Sequence, residues 1–482
     1  MPLGLIGAME LAKRGIDTNR QGIELIGHNL SNISNPAYAR QRLKVQTSDA
    51  LPSPSGPIGT GSKVTAIEQI RDQLLDNQIV SETGVSSYLE ARRKALELAE
   101  VNLGQQLDRQ ASTPEGAAAS LGVGGQFGIV EGLSDFFNSM QALSTNPNST
   151  ADRQVVVLRA ESLTEKFNNV SERLSDLRAD LNVRVEDDVE LANELLQQVS
   201  DLSRSIGASE AGLLANANDI RDRRQEKLEA LGQLVNIQYS ENPVSREFTL
   251  SVGGVEFITA NAVVTTLETF SDADAGTQVQ AATGDPLTLT KGSIWGTIRA
   301  RDDEVATVSS DLDTLAGAVF DQVNAIHSPG FALDGTSPGQ PFFVYTGTGA
   351  NPAAEIRLNS VLRNDPTKIQ ASETGEAGDN GIALQLARLG NTPQAGLGNL
   401  TFNERYSQTI ANLGQALSNT NNQAQDQDAI NRMLLRQRDS LGGVSIDEEM
   451  ANMIVFQRAF QASARMISTL DELLQSVINL GV

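Results

Sequence analysis

The sequence predicts a mainly α-helical protein with an inserted β domain. A long helical coiled-coil or bundle body is formed by the N- and C-terminal segments, and a small antiparallel β domain lies in the middle. Apolar residues recur every three or four positions through most of the 482 residues, the period of helices that bury one side. Between residues 237 and 292 the period shortens to two, and Gly/Pro-rich turns separate short runs typical of antiparallel strands.

The composition argues against several classes of function. A formal net charge of −23 disfavours nucleic acid or an anionic membrane as a partner of the whole molecule. The absence of cysteine leaves neither disulfides nor a thiolate metal site. No stretch approaches the roughly 18 consecutive apolar residues of a membrane span, and the first residues lack the basic and then apolar pattern of a signal peptide. We therefore expect no membrane insertion, and export without a cleaved signal peptide.

The first helix is predicted from about Leu3 to Ile33, because the residue before Pro36 is disfavoured in the α conformation. Its apolar residues keep the heptad-like spacing of a seam that packs against another helix, and only Asn19 interrupts them. The residues of this seam are Leu5, Met9, Ala12, Ile16, Ile23, Ile26, Leu30 and Ile33.

The middle of the chain is predicted to alternate between long helices and short strands. A helix from about Ala66 to Leu107, interrupted near Gly84, follows a Pro/Gly/Ser-rich loop. After Asn146-Pro147 a helix of about 50 residues, capped by Ser149 or Thr150, would span on the order of 75 Å. Strands are expected within 237–289, 342–345 and 355–358, and further helices within 294–327 and from residue 383 onwards.

The last helix carries two apolar stripes, and one antiparallel partner helix cannot cover both of them. The sequence therefore predicts assembly with other subunits, the ends being unfolded beforehand. The alternative is that the two chain ends pair with each other inside one monomer, since closing a loop of roughly 400 residues costs only a few kcal/mol. The first stripe is Phe456, Ala459, Ser463, Met466, Leu470, Leu473, Val477 and Leu480, and the second is Phe460, Ala464, Ile467, Leu474 and Ile478.

The charges of the two ends are opposite in sign. Residues 1–48 contain six basic and three acidic residues, and residues 443–482 contain two basic and five acidic residues. The ends should attract one another, although exposed charge pairs are individually weak.

These patterns divide the chain into three predicted domains. Residues 1–45 and 440–482 form a terminal helical assembly domain. Residues 46–236, 293–330 and 371–439 form a long-helix rod or bundle domain, and residues 237–292 and 331–370 form an inserted, β-rich outer domain.

No residue pattern indicates catalysis, a cofactor or a metal site. Asp447-Glu448-Glu449 is interpreted as the acidic first turn of a helix whose N-cap is Ser445, with Glu448 at the third position. His28 and His327 lack the spacing of zinc ligands and a nucleophile motif nearby. Gly122 to Gly125 lacks the ending of a phosphate-binding loop. We therefore predict a protein that is not an enzyme.

Two segments, one at each end of the chain, resemble the axial proteins of the bacterial flagellum. Asn29-Leu30-Ser31-Asn32 and Pro36-Ala37-Tyr38-Ala39-Arg40-Gln41 are similar to the N-terminal signature of rod, hook and hook-associated proteins. Val444 to Met450 and Gln457 to Ala462 are similar to their C-terminal signature. The motif residues are Asn29, Asn32, Pro36, Tyr38, Arg40, Gln41, Asp447, Glu448, Glu449 and Gln457.

Further blocks, within 136–169, 222–235, 323–343 and 378–387, are similar to the hook-associated branch of this family. The resemblance implies a structural junction subunit that joins hook to filament, exported by the flagellar type III apparatus to the cell exterior. The implied partners are further copies in a helical ring, the hook protein, a second hook–filament junction protein, and a cytoplasmic export chaperone on the C-terminal helix.

Two positions depart from the family pattern. The family usually has glycine where this chain has Ala37, and a left-handed backbone there would cost alanine roughly 1 kcal/mol. The family's Arg-Asp pair is here Arg224-Gln225. Three alternatives stay open: a hook or distal rod protein, an enzyme within the β insertion, and a coiled-coil scaffold unrelated to flagella.

Overall fold

The terminal helices pack against each other over the whole length of the N-terminal one. A computed structural model describes residues 4–52, 56–103, 128–211, 217–272, 276–335 and 339–480. Helix α1 (Leu5–Ser31) runs antiparallel to α12 (Ile446–Leu480). A hairpin of β1 (Gln41–Thr47) and β2 (Ser62–Gln69) lies against α1, and the Ser62 hydroxyl donates to Thr18 Oγ1 at 3.3 Å. The ends of the chain therefore do pair with each other in this structure.

The helix predicted from Ala66 begins later. Ala66 lies in β2, and α2 (Gln73–Asn102) starts after Asp72, whose carboxylate accepts from the backbone N–H groups of Leu74 and Leu75. Its predicted end at Leu107, like Gly122 to Gly125, lies outside the described residues. The interruption expected near Gly84 was wrong. The helix is continuous there, and the missing side chain lets the Gly232 carbonyl oxygen approach to 2.8 Å from where a Cβ would stand.

The longest helix confirms the heptad run of the sequence. Helix α4 (Thr150–Glu210) has 61 residues, so it is about 90 Å long. Its N-cap is Ser149, which accepts from the Asp152 N–H at 3.1 Å. The apolar residues spaced three and four apart in its first half are all buried, whereas Leu202 in its second half is half-buried; the buried ones are Val156, Ala160, Leu163, Phe167, Val170, Leu174, Leu177 and Leu181.

Two separate hydrophobic cores form along α4. Around its first half pack α3 (Ile129–Thr145), α7 (Ala306–His327), α10 (Gly381–Leu389), the start of α11 (Phe402–Gly442), and the antiparallel pair β9 (Phe343–Tyr345) and β10 (Ile356–Leu358). Two short helices, α8 (Pro352–Glu355) and α9 (Ser360–Asn364), flank β10. The end of α2 and Leu103 just after it, together with residues of irregular segments such as Ile369 and Ala371, also belong to this first core.

The second core contains the inserted strands. Around the second half of α4 pack α5 (Asn218–Leu234), α6 (Ser293–Arg299), and strands from two antiparallel sheets. The strands are β3 (Ile237–Glu241), β4 (Phe248–Val252), β5 (Val255–Thr259), β6 (Ala262–Val263), β7 (Leu267–Asp272) and β8 (Gly276–Ala281). A π-helical turn, Ala300–Val305, joins α6 to α7 where the two cores meet.

The cores group the chain differently from the sequence. The sequence placed 331–370 in one outer domain with 237–292, but Phe342, Phe343, Ile356 and Leu358 belong to the first core and the strands of 237–292 to the second. The three-domain division itself stays a prediction. Within the described ranges, no helix is long and apolar enough to span a membrane.

Candidate assembly surface

The two signature motifs meet at one polar cluster between the terminal helices. The Asn29 side chain is 1% exposed, and its Nδ2 donates to Glu449 Oε2 at 3.2 Å and to the Gln41 carbonyl at 3.0 Å. Arg40 Nε and Nη2 each lie 2.7 Å from Glu449 Oε1, and Arg40 Nη1 donates to Glu448 at 2.7 Å. Two motifs about 400 residues apart in sequence thus form one hydrogen-bonded unit.

Further motif residues extend this cluster towards α5. The Tyr38 hydroxyl donates to Asn29 Oδ1 at 2.7 Å, and burial together with nearby carboxylates raises its pKa, which keeps the phenol protonated as a donor. Gln41 Nε2 donates to Asp219 Oδ1 at 2.9 Å. Asn32 Nδ2 donates to the His28 carbonyl. By contrast, Pro36, Asp447 and Gln457 are exposed to solvent.

The acidic first turn of α12 has a partner that the sequence did not reveal. Ser445 directly precedes the helix, as predicted. The prediction attributed the carboxylates to the helix dipole, whereas Glu448 and Glu449 both pair with Arg40. The opposite net charges of the two chain ends indicate that the ends attract each other, but they do not identify Arg40 as the partner of Glu448 and Glu449.

A second polar contact ties the hairpin to the helical body. Arg71 Nη2 donates to the Ala37 carbonyl and to Asp222 Oδ1, both at 2.8 Å, and Nη1 donates to Asp76 at 3.2 Å. Burial raises the pKa of Asp222 to about 7, and the Arg71 guanidinium opposes this shift. The terminal pair is therefore linked to both α2 and α5 through one arginine.

The two departures from the family pattern are accommodated without strain. Ala37 is buried and does not have a positive φ, so this turn does not require glycine. Arg224 pairs with Glu241 of β3 and lies over the Phe248 ring, with its Cζ 4.5 Å from the centroid. Gln225 donates to Glu229 at 3.2 Å.

Small residues of α1 line its contact with α12. A Cβ at Gly15 would lie 2.9 Å from Ser463 Oγ, and one at Gly22 would lie 2.7 Å from the Phe456 ring. The contact line thus runs one residue away from the predicted seam. Of that seam, Ala12 and Ile26 are buried, Ile33 is exposed, and the rest are half-buried: Leu5, Met9, Ile16, Ile23 and Leu30.

The seam of α12 combines residues from both predicted stripes. Phe456, Phe460, Ile467 and Leu474 are half-buried and Leu470 is buried, whereas Met466, Leu473 and Val477 are 40%, 49% and 55% exposed. The side chain of Leu480 lies outside the described part. The first predicted stripe is therefore not a single face packed on α1.

An apolar stripe on α12 is left without a covering helix among the described residues. With 100° between successive residues, Val455, Met466 and Leu473 lie roughly 80–100° around the helix from Phe456, which faces α1, and Val477 lies about 60° from Phe456 on the same side. Val455 is 63% exposed. We call these four residues the outer stripe. A continuous exposed apolar stripe on a helix is typical of a surface that another helix covers.

The remaining polar candidates have structural partners. His28 contacts the Tyr38 hydroxyl at 3.0 Å. His327 is fully buried at the end of α7, where Nε2 accepts from the Gln370 N–H at 2.9 Å, and burial lowers its pKa to about 4. In the described ranges, no three His, Cys, Asp or Glu residues are placed to hold a metal ion.

Comparison with known proteins gives two family matches. Residues 120–343 match the family described as "Flagellar hook-associated protein FlgK helical domain". Residues 442–480 match "Flagellar basal body rod FlgEFG protein C-terminal". The second match covers the whole of α12, including the outer stripe.

Whole-chain relatives carry one name. Flagellar hook-associated protein 1 of Bacillus subtilis (strain 168) is 29% identical, over 98% of this chain and 97% of the relative. That of Salmonella typhimurium is 22% identical, over 97% of this chain and 99% of the relative. Among solved structures, the flagellar hook junction protein FlgK from Burkholderia pseudomallei has a TM-score of 0.63 at 14% identity. It covers 77% of this chain and 100% of its own, so the fold is shared.

Proposed function

The chain belongs to the flagellar hook-associated protein 1 family, and we propose that it assembles at the hook–filament junction through the outer stripe of α12. It is a structural component of the bacterial flagellum and is located outside the cell, in association with components such as the hook. The names of the relatives favour this branch over a hook or distal rod protein and over a scaffold unrelated to flagella. As a structural subunit, it is proposed to have no catalytic role in the β insertion.

The observation that carries this proposal is the exposure of the outer stripe next to an already paired seam. Helix α1 covers one side of α12, while Leu473 and Val477 stay about half exposed. Burying these side chains would gain roughly 25 cal/mol for each Å² of apolar surface removed from water. Neighbouring copies of the chain supply a regular way to bury them, because a contact between two different surfaces repeats into a ring or helix.

The proposed partners follow from this arrangement and from the family. They are further copies of the chain in a helical ring, the hook protein on one side, and the second junction protein on the other. A cytoplasmic chaperone would cover α12 before export by the flagellar type III apparatus. We also propose that the terminal pair is the least ordered part before assembly, because most of α12 is exposed or half-exposed.

The proposal is tested by placing charges in the outer stripe. The triple variant Met466→Asp, Leu473→Asp and Val477→Asp, expressed in a strain lacking the natural protein, should leave hooks without filaments in electron micrographs. Assembly of this variant would bury three carboxylates without partners at the contact between copies, which is costly.

A matched control separates the outer stripe from the helix as a whole. Ser468→Asp and Gln475→Asp add charges to exposed positions on another side of α12 and should leave filaments intact. Circular dichroism of both purified variants verifies that the helical body is folded. Normal filaments with the triple variant would contradict the proposed surface.

A further inference from the structure

Three contacts along the α1–α12 pair repeat with one period. Gly15 faces Ser463, Gly22 faces Phe456, and Asn29 binds Glu449. Each step moves seven residues along both helices, in opposite directions. A ladder with this spacing has an obvious competitor, namely the same two helices shifted by one heptad.

Side-chain size rejects this shift in one direction only. Moving α12 so that Phe456 faces Asn29 is opposed by size, because Asn29 has a side chain where Gly22 has none. Moving it the other way places Phe456 against Gly15, which is again a glycine, and Ser463 against Ala8. Packing of these positions therefore distinguishes this second shift poorly from the observed register.

We propose that Glu449 sets the register of the α1–α12 pair through its bonds to Asn29 and Arg40. In the observed register its carboxylate is 2% exposed and receives two contacts from Arg40 at 2.7 Å and one from Asn29 at 3.2 Å. In the shifted register it would face Gly22, which offers no side-chain donor. Burying a carboxylate without partners is costly. The ion pair therefore favours the observed register over the register shifted by one heptad, which the packing of these positions alone distinguishes poorly.

This role needs no partner protein, so its test is independent of the assembly proposed above. The chain has no natural cysteine, so pairs of introduced cysteines report the register of the purified full-length protein. A Cβ at Gly15 lies 3.6 Å from Ser463 Cβ, within the range of a disulfide. Gly15→Cys with Ser463→Cys therefore reports the observed register.

The second reporter detects the shifted register. Ala8 lies seven residues from Gly15, about 10 Å along the helix, so Ala8→Cys cannot reach Ser463→Cys unless α12 shifts by one heptad. Each pair is oxidised at low protein concentration, and the intramolecular disulfide is quantified by peptide mapping. With Glu449 intact, the first pair should close and the second should not.

Replacing the carboxylate should release the shift. In Glu449→Leu, and separately in the smaller Glu449→Ala, the yield of the Ala8–Ser463 disulfide should rise at least tenfold. Glu448→Leu is the matched control, since this neighbouring glutamate also pairs with Arg40 but its side chain is 63% exposed. It should leave only the observed register.

The other outcomes overturn the proposal. If both Glu449 variants keep the Gly15–Ser463 disulfide alone, packing sets the register without the carboxylate. If neither disulfide forms in either Glu449 variant, the carboxylate is required for the two helices to pair at all and not for their register. If Glu448→Leu shifts the register equally, the effect belongs to the acidic turn and not to Glu449.

Discussion

Removal of the Arg40 guanidinium should loosen the terminal helices without unfolding the body. The Arg40→Ala variant leaves the Glu449 carboxylate in the seam with one remaining bond, the Asn29 Nδ2 contact at 3.2 Å. Breaking a buried ion pair by removing one partner typically costs about 3–5 kcal/mol. The Arg40 side chain is 20% exposed, so water reaches part of the site and we expect about 2–3 kcal/mol.

Hydrogen exchange along α12 measures this loss. Amides near Glu449 should exchange faster by the corresponding factor, on the order of 30-fold to 150-fold, while amides of α4 in the first core keep their protection. Arg42→Ala is the matched control, because Arg42 is 68% exposed and lies 3.7 Å from Glu68, the kind of surface pair that contributes little.

A double variant isolates the buried charge. Adding Glu449→Gln to Arg40→Ala removes the unpaired carboxylate and should recover part of the lost protection, which a double-mutant cycle quantifies. The reasoning would be refuted if Arg40→Ala accelerated exchange in α12 no more than Arg42→Ala does.

Two further predictions concern packing and pH. Gly22→Ala should destabilise the terminal pair by about 1–3 kcal/mol, since the added Cβ would lie 2.7 Å from the Phe456 ring. Gly27 has open space around it, so Gly27→Ala should instead stabilise α1 by about 0.5–1 kcal/mol. The same hydrogen-exchange experiment measures both effects. His327 has its pKa lowered from 6.5 to about 4 in the folded protein, so its neutral form stabilises the first core above pH 6.5 and this contribution is lost as the pH falls towards 4. Urea unfolding of the body at pH 7 and pH 5 should show about 2 kcal/mol of this loss, the remainder appearing only below pH 5. His327→Gln should remove this part of the pH dependence, and an unchanged slope in the variant would contradict the assignment.

The helical part of the fold could be predicted because burial there follows a strict period. In α4 the residues that the heptad pattern selects, from Val156 to Leu181, are all buried, because the helix is packed on one side along its whole first half. Such a pattern depends only on local geometry and needs no knowledge of the partners. The sequence also predicts strands within 342–345 and 355–358, but not their pairing as β9 and β10.

The hairpin between α1 and α2 was not predicted because its pattern is mixed. Strand β2 has no fully buried residue, and Ile67 is 37% exposed, so apolar and polar residues do not alternate clearly. A two-stranded ribbon supported by a single helix buries too little to impose a period of two. The residues from Ala66 onwards were therefore read as the start of the following helix.

The seam of α12 could not be predicted because the helix is apolar on more than one side. Periodicity alone cannot decide between Met466 and Ile467, and the structure buries the second more than the first. The choice is made by residues that carry no apolar signal, namely Gly15 and Gly22 of α1 and the Asn29–Glu449 bond. Their partners lie at the other end of the chain.

The participation of α4 in both cores has a mechanical consequence. Its first half supports the helical core and its second half supports the strands, so the two regions share one uninterrupted run of backbone hydrogen bonds. A sideways force on the strands would be transmitted along α4 to the first core at the other end of the helix. Bending between the two regions would have to break these hydrogen bonds. The two regions should therefore move together as one rigid unit, so that flexibility in an assembly would arise at the contacts between subunits.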